Sequence, residues 1–73
     1  MRISSEYYNY IVGEIKNMLP RDEYNSIMGI NFRETYHDDN LIIKNAIYYN
    51  NKYSKILKQY LIFYINYQIN WDG

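Results

Sequence analysis

The sequence predicts an all-α domain, on three observations. Near the N-terminus Tyr8, Ile11, Ile15 and Met18 recur at spacings of three, four and three, one apolar stripe of a helix. From Leu41 to Tyr64 a helical wheel at about 100° per residue gathers Ile42, Ala46, Tyr49, Tyr53, Leu57, Tyr60 and Tyr64 on one face, with Lys44, Lys52, Lys55 and Lys58 opposite. Between these stretches Pro20 and Gly29 punctuate the chain where helices stop and start. The expected architecture is a small three-helix domain with a long C-terminal helix.

The first helix starts at Ser4 or Ser5, either of which can cap it, with Glu6 in the first turn against the positive end of the helix dipole. Leu19 lies beside its apolar stripe and Pro20 ends it. Gly13 in its middle costs about 1 kcal/mol relative to Ala, so either the helix is weak there or another backbone comes close. Pro20 also suits the first turn of a short second helix over 21–28, with Asp22 and Glu23 at its start and Gly29 as its stop. In the following INFRETYHDD, Ile30, Phe32 and Tyr36 alternate with polar residues, which permits a short strand, although Glu34 spoils the pattern. The alternative fold is therefore α+β, with a hairpin formed by 30–36 and 41–48. In the all-α reading Asp38, Asp39 and Asn40 cap the long helix, which bends where Asn50 and Asn51 lower its propensity.

Seventy-three residues make one domain, 1–73, and a chain this short leaves roughly 40% of its unfolded surface in water. There is no cysteine to staple so small a core, and a reducing cytoplasm is the simplest setting. The N-terminus lacks the apolar run of a signal peptide, and Tyr60 to Ile65 is too short to span a bilayer, so a soluble protein with no membrane association is expected. Net charge is zero but segregated: residues 1–40 hold four Lys/Arg against seven Asp/Glu, and residues 41–73 hold four against one.

Tyrosine is the most informative residue. Tyr, Asn and Ile number 11, 10 and 12, as an A+T-rich genome would favour, but Phe numbers only 2 and Lys 5. Something beyond base composition selects the phenol, which suits sites half buried and half wet, at the rim of a small core or in a contact surface.

No residue set points to catalysis. Glu34 and His37 are spaced as in half of a dinuclear carboxylate site, but His37 is the lone histidine and a solvated capping turn explains ETYHDD better. Without a cysteine nucleophile or a glycine-rich phosphate loop, the chain is not expected to be an enzyme or to need a cofactor. Past Lys58 the arc held by lysines turns apolar with Ile62, Ile65 and Ile69, so this helix has hydrophobic side chains on both sides and needs two partners. Ile62, Tyr64, Ile65, Tyr67, Ile69 and Trp71 are the expected protein-contact surface, toward a larger protein target or a second copy in a homo-oligomer. The expected function is a small inhibitor or adaptor, of the kind phages and mobile elements direct against host defence. The alternative is a nucleic-acid-binding regulator, with Lys44, Lys52, Lys55 and Lys58 on phosphates and Tyr48 stacking a base.

Overall fold

The computed structural model describes residues 5–70. Over that span the chain is all-α, with four helices: α1 (Ser5–Met18), α2 (Arg21–Met28), α3 (His37–Tyr48) and α4 (Lys55–Asn70). No strand occurs among the described residues, so the 30–48 hairpin does not form. Nor is any helix there long and apolar enough to cross a membrane.

Residues 30–36 are instead a run of tight turns held by short-range bonds. The Oδ1 of Asn31 accepts from the Arg33 backbone N–H at 3.2 Å, and the Thr35 hydroxyl donates to the Asn31 carbonyl at 2.8 Å. Such local bonds compete with a strand ladder. They also turn Phe32 inward, where it is buried as a plug whose ring meets Tyr64 edge-on at 6.2 Å.

The expected long helix is two helices. Its break follows from the chemistry of 50–54, where Asn50 Oδ1 accepts from the Lys52 N–H at 2.8 Å and closes a turn. Ser54 then caps α4, its Oγ accepting from the Leu57 N–H at 3.2 Å. Because the chain reverses here, α3 folds back on α4, while α1 packs along α4 elsewhere. The central helix α4 thus finds both partners its two apolar sides require within its own chain.

The core is built on α4 by Leu57, Leu61, Tyr64 and Ile65, spaced four, three and one, against Ile11, Ile15 and Leu19 from the N-terminal side and Ile47 from α3. Tyr24, Ile27 and Met28 of α2 cover it while partly buried. The seam between α1 and α4 is aromatic. Tyr8 stacks on Tyr67 at 4.1 Å, Tyr7 meets Phe63 edge-on at 5.2 Å, and Tyr10 meets Tyr60 edge-on at 6.4 Å. Much of the tyrosine surplus therefore sits where its composition suggested, at the rim of a small core. Gly13 is exposed, and a Cβ added there meets nothing within 4 Å, so no second backbone approaches it.

Candidate protein-contact face

The expected contact residues divide between the core and its rim. Ile65 is fully buried and Tyr64 nearly so, because α1 and α3 pack on the two sides of α4, one of which was expected to need an outside partner. Ile62, Tyr67 and Ile69 are half-buried, with Ile62 and Ile69 packed on the core and Tyr67 under Tyr8. Trp71 lies outside the described residues.

The lysines do not form one stripe either, since the break distributes them over two helices and a loop. Lys44 donates from Nζ to Asn66 Oδ1 at 3.1 Å, tying α3 to α4. Lys58 reaches back to the carbonyl of Tyr48 at 2.8 Å, at the negative end of α3. Lys52 lies exposed in the connection, Lys55 opens α4, and Tyr48 is exposed with its ring edge-on to Tyr49 at 5.0 Å. Glu34 and His37 are exposed, and among the described residues no three His, Asp or Glu side chains gather as a metal site.

What the fold does leave bare is the outer side of α3. This helix begins at His37, earlier than expected, with Tyr36 at its N-cap. Asp38 and Asp39 are consequently in the first turn, and Asn40 is inside the helix facing inward, 4% exposed. Asn40, Ile43, Lys44 and Ile47 define the inner side. Ile42, Ala46 and Tyr49, expected to face the core, are on the opposite side in solvent. Ile42 is 65% exposed, Tyr49 74%, Tyr48 63% and Leu41 40%. Asp38, Ile42, Asn45 and Tyr49 follow one another at spacings of four, three and four, a single exposed row with Leu41 and Tyr48 along one flank.

The phase of the sequence explains the error. The Ile42, Ala46, Tyr49 row continues smoothly into Tyr53, Leu57 and Tyr64, so one unbroken wheel assigns all of them to the core. Ile43 and Ile47, one residue on from Ile42 and Ala46, mark a second apolar row in the same helix. Two rows in 41–49, read together with the Asn50–Asn51 break, are the signal for a helix apolar on both faces.

Other concavities are shallow. One of about 230 Å³ is lined by Asp22, Glu23, Ser26, Ile27 and Tyr53, and another of about 260 Å³ by Lys16, Leu19, Arg21, Tyr24 and Asn25. In the first, the Tyr53 hydroxyl donates to Glu23 Oε1 at 2.8 Å; burial, then the Glu23 carboxylate, raises its pKa to about 12. This bond fastens α2 to the α3–α4 connection.

Comparison of the chain with protein-family models, with characterised proteins and with solved structures found no match. Fold and face together define a class: a small all-helical domain presenting one helix that is apolar on its outer side as well as its inner one.

Proposed function

We propose that this chain is a non-enzymatic protein-binding module, a small cytoplasmic inhibitor or adaptor that seats the outer face of α3 on a larger protein. The observation that carries this reading is the exposure of Ile42, Tyr48 and Tyr49 together on one short helix. Contiguous exposed apolar side chains are unfavourable on a monomer and are characteristic of contact sites, and aromatic residues concentrate binding energy there. The non-enzymatic reading rests on the sequence, which offers neither a cysteine nucleophile nor a glycine-rich phosphate loop. A target among host-defence proteins rests on size and composition.

The test is affinity capture from the native host with the wild-type chain and with Ile42→Asp and Tyr49→Asp. A partner held by the wild type and lost by both variants, with circular dichroism unchanged, is the expected result. A partner retained equally by all three would refute the assignment of the face.

A further inference from the structure

We infer that two copies of this chain exchange α4. The 49–54 connection straightens, α3 and α4 join into one helix over 37–70, and each copy's α4 packs on α1 and α3 of the other. Among the described residues a single connection joins α4 to the helices it packs on, so one hinge suffices for the exchange. The register of α3 on α4 is fixed by two bonds, from Lys44 Nζ to Asn66 Oδ1 and from Lys58 Nζ to the Tyr48 carbonyl. Ser54 stands ten residues from Lys44 and twelve from Asn66, six from Tyr48 and four from Lys58, so both pairs are centred within one residue of it. That register sets Ile47 toward Leu61 and Ile43 toward Ile65, all four in the packed core.

An unbroken helix carries these residues on one side. Ile43, Ile47, Ser54, Leu61 and Ile65 follow one another at four, seven, seven and four residues, a stripe about 40° wide that reads the same in both directions from Ser54. Nothing in a reversing connection requires the two inner sides to share a phase, and this coincidence is what selects a second copy. A two-fold axis at Ser54 runs two such helices antiparallel and restores every pair between copies, Ile47 toward the second copy's Leu61 and Ile43 toward its Ile65, each twice. Ser54 itself, small and polar, falls at the crossing. What holds the single chain bent is local: Asn50 Oδ1 accepts from the Lys52 N–H and Ser54 Oγ from the Leu57 N–H. Straightening replaces these two side-chain bonds with the i→i−4 backbone ladder through 49–54. Since the core pairs are the same in both forms, rising concentration shifts the balance toward the exchanged pair. The exchange uses the inner side of α3 alone and is independent of what its outer side binds.

The chain has no cysteine, so Lys44→Cys with Asn66→Cys gives a bis-maleimide reagent one pair of sites to bridge. This full-length variant, concentrated from micromolar to millimolar and separated by size, is cross-linked in each fraction. The expected result is a dimer fraction at twice 9.0 kDa whose links lie between chains and survive denaturing electrophoresis, beside a monomer fraction linked only within its chain. Asn50→Ala with Ser54→Ala removes both local bonds in favour of a good helix former. On the cysteine-free background, read by sedimentation equilibrium, it should raise the dimer association constant by roughly tenfold or more, with undiminished helical content. A chain monomeric at every concentration with and without the alanines overturns the inference, as does a dimer linked only within chains or one that the alanines do not favour.

Discussion

Asn40 donates from Nδ2 to the carbonyl of Phe32 at 3.2 Å, across eight residues, and so holds the 29–36 turns against the start of α3. The same nitrogen lies 3.5 Å from the Thr35 carbonyl, while Oδ1 has no partner within the protein. It is the sole buried polar side chain among the described residues, and it fixes how Phe32 enters the core.

Asn40→Leu should therefore destabilise the chain by about 1–3 kcal/mol, since it strands a buried carbonyl. Asn40→Asp should be worse, because a carboxylate would face two carbonyl oxygens. Urea unfolding measures both. A neutral Asn40→Leu would show that the turns do not depend on this bond.

Ile65, once expected at an interface, should behave as core. Ile65→Ala should cost about 2–5 kcal/mol, and Ile65→Asp should abolish the helical signal. A folded Ile65→Asp chain, seen by circular dichroism, would contradict the packing of α4 between α1 and α3.

The lysines should divide into two pairs. Lys44→Met and Lys58→Met each remove a bond between α3 and α4 and should cost roughly 0.5–1.5 kcal/mol, whereas Lys52→Met and Lys55→Met should stay within about 0.5 kcal/mol. Equal effects in thermal unfolding would mean that the Asn66 and Tyr48 contacts contribute nothing.

Much of this architecture is legible in the sequence, because strong local chemistry marks it. Pro20 and Gly29 bound α2 at the expected residues, and the Tyr8, Ile11, Ile15 row gives α1 its buried side. The errors lie where a local bond outweighs a periodic pattern. Asn31 and Thr35 convert an alternating stretch into turns, Asn50 and Ser54 break a helix whose apolar phase is continuous, and Asn40 bonds inward instead of capping. The exposed outer row of α3 was hidden by the same continuity. Ile42, Ala46 and Tyr49 share a phase with Leu57 and Tyr64, and only the reversal at 49–54 places the first three outside.

Alkaline pH should unfold the chain through its buried phenols. Burial, and then the neighbouring Tyr8, raises Tyr64 from 10.0 to about 12, and burial with the Glu23 bond does the same for Tyr53. A folded phenol that holds its proton more tightly than an unfolded one contributes stability that is complete below pH 10 and lost as pH rises toward 12. Circular dichroism should show the helical signal lost across that window, and Tyr64→Phe, which removes one of the two ionisations, should move the loss to higher pH. A helical signal unchanged across the window would contradict this.

The central claim is that the outer face of α3 is the working surface, and site-specific photo-crosslinking in the native host tests it most directly. A photoreactive aromatic residue in place of Tyr49 should yield a discrete adduct with another protein chain, while the same residue in place of Asn17, exposed on α1, should yield none. Adducts from position 17 with none from position 49 would contradict the account.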